Sequence, residues 1–218
     1  MKSSQDRMES RDYAAFNDTN PFSTKFWIPG RIPYRFAEGG DCESLIEKVR
    51  RLSGMTQIVG PHGSGKTTLL ECLVGRYREL GIETRRVTLN DRCRMLPNDF
   101  IPPGNATDAV FLLDGYEQLT FADRCRLRFK AWNRTGGLIL TTHRPACLIP
   151  VLYRTAVRFE EFREFVFHLL KDSPISFDEK TLQDVFHRAH GNVRTAFFEL
   201  YDCVSQGEAA KQIAKGVS

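Results

Sequence analysis

No stretch of this 218-residue chain approaches eighteen consecutive apolar residues, so nothing in it reads as a membrane-spanning helix. The opening MKSSQDRMESRDYAAFNDTN lacks the apolar core of a secretory leader, which sets the expectation of a cytoplasmic protein without membrane association. Cysteine is scattered: Cys42, Cys72, Cys93, Cys125, Cys147 and Cys203 form no CxxC pair, which speaks against a zinc site or a disulfide framework. The histidines His62, His143, His168, His187 and His190 show no ligand spacing either. Internal repeats and low-complexity blocks are missing. So is a strong excess of one charge, because 31 basic against 27 acidic residues leave only +4, too mild to imply nucleic acid by itself. What remains is globular in balance, 41% hydrophobic and 27% charged, which excludes a wholly disordered or fibrous chain.

Residues 1–23 are polar and without periodicity, and are expected to form a loose tail. The arm at 24–40 is different. In FSTKFWIPGRIPYRF, aromatics alternate with Pro29 and Pro33, which argue against a helix and for an extended segment. It covers apolar surface, walls a base pocket or docks a partner. Leu45, Ile46, Val49 and Leu52 then mark one helix face ending near Gly54. Strand signals at Met55–Val59, Ile82–Leu89, Ala109–Leu113, Gly137–Thr141 and Thr155–Phe159 alternate with helical signals at Lys66–Leu80 and Phe121–Trp132. Such alternation predicts an α/β domain over 41–159, a parallel sheet flanked by helices. Glu160–Lys171, Phe177–Ala189 and Asn192–Val204 predict a three-helix domain over 160–206, followed by a loose tail at 207–218.

Gly60-Pro61-His62-Gly63-Ser64-Gly65-Lys66-Thr67 fits G-x-x-x-x-G-K-[ST], the phosphate-binding P-loop or Walker A pattern, with Thr68 directly after it. Glycines let successive backbone N–H groups curl toward phosphate oxygens. Lys66 offers a point charge to the β and γ phosphates, and the Thr67 hydroxyl suits Mg²⁺. The following helix aims its positive end at the anion. A strand signal before the motif and a helical one after it give the pattern its required context. His62 is read as filling a variable position of the loop.

Ala109-Val110-Phe111-Leu112-Leu113-Asp114 is an apolar strand ending in an acid, the Walker B pattern. It delivers Asp114 to the carboxyl edge of the sheet as a magnesium residue. With these two motifs, the chain from about Phe36 to Tyr201 resembles the AAA+ branch of P-loop ATPases, of clamp-loader or initiator type. The resemblance implies ATP and Mg²⁺ as ligands and a P-loop sheet followed by a helical lid. It also implies a polar sensor at the end of the fourth strand, here Thr141 or Thr142, with Thr142 as the candidate catalytic residue. In Leu148-Ile149-Pro150-Val151-Leu152-Tyr153-Arg154, the arginine resembles a finger that closes a short helix and enters a neighbouring subunit's site. His190-Gly191-Asn192-Val193-Arg194 resembles the lid signature G-[ND]-x-R, with Arg194 as the second sensor. In the residues themselves, Asn192 can cap the last helix, leaving Arg194 in its first turn, a poor place for a cation unless an anion is near. Arg154 reads equally as a surface arginine on a helix end.

The pattern departs from the family at one position. Gly115 stands where most hydrolysing AAA+ proteins have the water-polarising glutamate, and Glu117 is the next carboxylate. Glu117 either reaches back as the base through a tight turn at Gly115, or begins the next helix. Arg85, Arg86, Arg92, Arg94, Arg124, Arg126, Arg128, Lys130 and Arg134 are read as solvated surface, since i to i+2 spacing spreads charges around a helix. The expected function is a Mg-dependent ATPase with Lys66, Asp114, Glu117, Thr142 and Arg154 as catalytic residues. It would act as a switch or loader on a protein or nucleic-acid partner, and as a homo-oligomer if Arg154 is shared. A non-hydrolysing nucleotide-bound scaffold and a small metabolite kinase are the alternatives. A GTPase is disfavoured because no N-K-x-D motif follows any strand.

Overall fold

The computed structural model describes residues 20–26, 34–36, 40–52, 54–101, 109–131 and 137–206. The expected tails at 1–19 and 207–218 lie outside these residues, as do Pro29, Pro33, Trp132 and Arg134. Two compact units emerge, one within Ile32–Ala156 and one formed from Val157 onward together with Asn20–Phe26.

In the first unit the elements follow the order α1 (Cys42–Leu52), β1 (Met55–Val59), α2 (Lys66–Glu79), β2 (Thr84–Thr88), β3 (Val110–Asp114), α3 (Phe121–Ala131), β4 (Leu138–Thr142) and β5 (Val151–Arg154). The five strands form one parallel sheet in the order β2-β3-β4-β1-β5. Its centre is wholly apolar up to the strand ends: all of VFLLD and LILTT is buried, as expected for strands covered on both faces. Period-two alternation sorts the side chains. Val110, Leu112 and Ile139 pack with Leu69, Leu70 and Leu73 of α2 and Leu45, Ile46 and Val49 of α1. Phe111, Leu113, Leu138 and Leu140 pack on the opposite face with Leu127 and Ala131 of α3. The arginine-bearing β2 lies at an edge, where charge discourages further pairing.

The fifth strand differs from expectation. It occupies Val151–Arg154, not Thr155–Phe159, and Arg154 therefore ends a strand and does not close a helix. Pairing explains the shift: Gln57, Ile58 and Val59 take Val151, Tyr153 and Arg154 as partners, while the N–H of Thr155 donates to Val59 O at 2.8 Å.

The second unit contains α4 (Phe159–Leu170), α5 (Glu179–Arg188) and α6 (Val193–Ser205), close to the expected helices. Its core takes Phe162 and Val166 from α4, Leu182 and Val185 from α5, and Ala196, Phe197, Leu200 and Val204 from α6, each set at helical spacing. Phe22 completes this core at 1% exposure, with its ring 5.9 Å from those of Phe177 and Phe197. Asn20 fixes the approach by donating to Tyr201 O at 3.1 Å and Ser205 Oγ at 3.2 Å. The loose tail expected through residue 23 thus yields to packed chain at Asn20. One aromatic among polar neighbours gives no periodic signal, yet it has enough apolar area to dock. Among the described residues no helix is long and apolar enough to cross a membrane.

Candidate functional site at the carboxyl edge of the sheet

β1 ends at Val59, and the chain turns through Gly60–Gly65 into α2. Gly63 and Gly65 have φ of 68° and 86°, the left-handed region that glycine enters without strain. At Gly60 the requirement is space, because a Cβ there would stand 2.1 Å from Thr155 Oγ1 and 2.5 Å from Thr155 O. Thr155 also braces the loop: Ser64 donates its hydroxyl proton to Pro61 O at 2.8 Å and so accepts from Thr155 Oγ1 at 2.6 Å. The first turn of α2 contains no acidic residue, so its exposed N–H groups and dipole favour an anion. Lys66, 8% exposed, directs Nζ to Gly60 O and Pro61 O at 2.7 Å each, holding the ammonium against the loop.

Asp114 is the hub of the edge. It accepts from Thr67 Oγ1 at 2.8 Å on one oxygen and from Thr141 Oγ1 at 2.5 Å on the other. The N–H of Gly115 donates to Thr141 Oγ1 at 2.9 Å, closing the link between β3 and β4. Arg86 places its guanidinium 3.7 Å from Asp114 Oδ2 and pairs with Glu71. That corrects the reading of Arg86 as solvated surface: alternation along β2 turns it toward α2 and the acidic strand end. Arg124 and Lys130 are likewise engaged, donating to Glu117 O at 2.8 Å and Asn98 O at 3.0 Å.

The two threonines at the end of β4 divide the work. Thr141 shares the face of Asp114 and α2, whereas Thr142 donates to Gln57 Oε1 at 3.1 Å on the opposite face. Gln57 in turn donates to Ala146 O and Ile149 O at 3.0 and 2.6 Å, so Thr142 belongs to the lattice organising the β4–β5 connection. The candidate Thr142 is therefore not brought to Asp114. Its neighbour is.

A group that sequence spacing did not reveal completes the edge. β3 is followed by a tight 3₁₀ turn, Tyr116–Gln118, entered through Gly115 at φ 90°. Glu117 Oε1 lies 3.1 Å from His143 Nδ1, and the His143 ring lies 3.6 Å, centroid to centroid, from that of His62 in the phosphate loop. Partial burial holds the His143 pKa below its ordinary value; Lys66 and His62 push the same way, against Glu117 and Asp114. No linear spacing links positions 62, 117 and 143. They meet because β1, β4 and β3 are neighbours in the sheet.

The remaining candidates are placed by their own elements. Thr68 follows Thr67 in α2, half-buried. Arg154 is exposed at the end of edge strand β5. Arg194 lies in the first turn of α6 in the other unit, where Asn192 Oδ1 accepts from its N–H at 3.1 Å and from that of Thr195 at 3.3 Å, forming the expected N-cap. Tyr34 stands beside the loop, its Cε2 3.1 Å from where a Cβ on Gly65 would be, and its ring packs edge-on with Phe36 and Tyr153 at 5.0 and 6.1 Å.

The site fits the groups its motifs imply. Thr67 and Asp114 offer only hard oxygens, as Mg²⁺ requires. Among the described residues no group of three His, Cys, Asp or Glu is placed to hold a metal ion.

No protein-family model matches this chain, and no curated protein does. Solved structures do. A DNA replication initiation factor matches with TM-score 0.57 at 14% identity, over 80% of this chain and 62% of its own. AMPPCP-bound DnaA from Aquifex aeolicus matches with TM-score 0.57 at 17% identity, over 84% and 67%. A RuvB variant from Thermotoga maritima matches with TM-score 0.54 at 14% identity, over 78% and 61%. The chain thus spans about three fifths to two thirds of the proteins it matches. It shares the fold of these structures, the P-loop NTPase type of parallel sheet flanked by helices.

Proposed function

We propose that this chain binds ATP with Mg²⁺ and hydrolyses it, as a switch or loader of AAA+ type acting on a protein or nucleic-acid partner. The observation that carries the reading is the 2.8 Å link from Thr67 to Asp114, which joins the phosphate-loop helix to the acidic end of β3 beside Lys66. The N–H groups of His62–Thr68 and the Lys66 ammonium would bind the phosphates, with Gly60 and Pro61 shaping the start of the loop. Thr67 and Asp114 would hold Mg²⁺, which when bound neutralises charge on the phosphates. Thr141 takes the polar strand-end role first expected of Thr142. Glu117 is the general base, and Arg194 the lid arginine. A DnaA structure with AMPPCP and single-stranded DNA, TM-score 0.54 at 15% identity, supports nucleotide and, on the partner side, a nucleic acid.

Arg154 is exposed at the end of an edge strand and carries a permanent planar charge, so a second copy of the chain could receive it as a finger. The test is ATP turnover against protein concentration for wild type and Arg154→Ala. Specific activity that rises with concentration and collapses in the variant is the expected result. Flat turnover, equal in both, would remove the finger and the shared site.

A second reading, a nucleotide-bound scaffold without hydrolysis, is favoured by Gly115. A Cβ at this position would lie 2.5 Å from Leu89 O at φ 90°, so the family's usual glutamate does not fit. Tight ATP binding with no turnover at any concentration would select it.

A further inference from the structure

We propose that His143 is the positioning residue of Glu117, holding one carboxylate oxygen so that the other serves as the hydrolytic base that position 115 cannot supply. This rests on the reading of Glu117 as base.

The turn that carries Glu117 is braced on every side. Gln118 N donates to Gly115 O at 3.0 Å and Leu119 N to Tyr116 O at 3.2 Å. Tyr116 is buried with the Arg124 guanidinium over its ring, and Arg124 donates to Glu117 O. The side chain has no part in starting α3. That helix is capped by Thr120 and Asp123, whose groups bond each other: Thr120 Oγ1 donates to Asp123 Oδ2 at 2.7 Å and accepts from Asp123 N at 3.2 Å. Glu117 is therefore free of the capping duty that acids near helix starts usually perform.

Its two oxygens are unequal. Oε1 faces His143 Nδ1, while Oε2 is buried without a hydrogen-bond partner among the described residues. A carboxylate only accepts, so a hydrogen bond across this contact requires the proton on Nδ1. Burial disfavours the imidazolium and lowers the His143 pKa, with Lys66 and His62 acting the same way, so the neutral ring is favoured. The His62 ring lies against it, tilted by 42°. An oxygen held on one side and unsatisfied on the other is poised for a proton, because a buried acceptor without a partner is costly to leave so.

In the hydrolytic step the carboxylate turns to bring Oε2 against a water admitted with the nucleotide, and a water proton passes to Glu117 Oε2 while the water oxygen bonds the γ-phosphorus. The bond from that phosphorus to the β–γ bridging oxygen breaks, and its electron pair leaves with the nucleoside diphosphate. Glu117 then releases its proton to solvent.

The experiment uses the full chain with Glu117→Gln, Glu117→Ala, His143→Ala and His143→Asn. It combines ATP turnover, affinity for AMPPCP and imidazole ¹⁵N NMR of the nucleotide-free protein. Glu117→Gln should lower kcat by about 10²–10⁴-fold while AMPPCP affinity stays within about twofold. His143→Ala should lower kcat at least about tenfold with KM unchanged. His143→Asn, whose amide NH₂ falls near Nδ1, should recover most of the loss. The wild-type spectrum should show His143 protonated on Nδ1, and Glu117→Ala should move the proton to Nε2. Loss of turnover in Glu117→Gln with His143→Ala unaffected overturns the positioning role and leaves Glu117 as base. Full turnover in Glu117→Gln overturns the base itself. A wild type that binds ATP without hydrolysing it overturns both, and an Nε2-protonated His143 overturns the pairing whatever the rates.

Discussion

Restoring the missing glutamate by Gly115→Glu should damage this protein and leave its turnover no faster. Gly115 sits at φ 90°, and an L-residue in such a left-handed conformation costs about 1–3 kcal/mol. Its Cβ would stand 2.5 Å from Leu89 O, a backbone atom and so not a flexible obstacle. Leu89 is itself fixed, buried at 4% exposure and donating its N–H to Asp114 O at 2.8 Å. Moving it aside would sacrifice a hydrogen bond of about 1 kcal/mol. Together these give about 2–4 kcal/mol, or roughly 4–16 °C in Tm at about 2–4 °C per kcal/mol for a chain of this size. Gly115→Ala is the control, because it has the same backbone and Cβ problem without a carboxylate. Differential scanning calorimetry should find both variants destabilised by similar amounts, and a phosphate-release assay should find neither faster than wild type. Gly115→Glu with Tm within about 1 °C of wild type and faster turnover would refute the steric reasoning.

Three further outcomes follow from the geometry. Gly60→Ala forces Thr155 from the base of the phosphate loop; overpacking of this kind costs about 1–3 kcal/mol, so calorimetric titration with AMPPCP should show affinity lowered about 5- to 150-fold. Phe22→Ala empties a buried aromatic site in the helical unit and should cost about 3–5 kcal/mol, read as a lower urea midpoint for the loss of helical circular dichroism. The His143 pKa is lowered in the folded state, mainly by burial, so the unfolded chain binds more protons as pH falls. Stability from this residue is present above its ordinary 6.5 and lost below it, a slope that urea melts across this range should show in wild type and not in His143→Asn.

The phosphate loop and the acidic strand end were legible because each is a local pattern: glycines at fixed offsets, and a fully apolar strand closing on one acid. Even the choice between Thr141 and Thr142 had a signal. Alternation along LILTT puts Thr141 on the face of Ile139, and alternation along VFLLD puts Asp114 on the face of Leu112, both facing α2. Arg154 was misplaced onto a helix because Pro150 reads as a breaker while β5 is set by pairing with β1, a long-range contact. Strand order was not available either. His62, His143 and Glu117 become neighbours only once β4 lies between β1 and β3.

The helical unit is a discontinuous body, closed by a phenylalanine made before the sheet unit and helices made after it. On a ribosome adding about 5–20 residues per second, Phe22 waits roughly 9–35 s for Phe197 to emerge, while the intervening sheet unit has time to fold by itself. Until then an aromatic ring and the unsatisfied Asn20 amide are open to chaperones and proteases. A truncated product lacking α6 would keep them open permanently. Docking of Phe22 thus ties the closure of the helical unit to the arrival of α6, so this unit completes its core only after the sheet unit between its two parts has emerged.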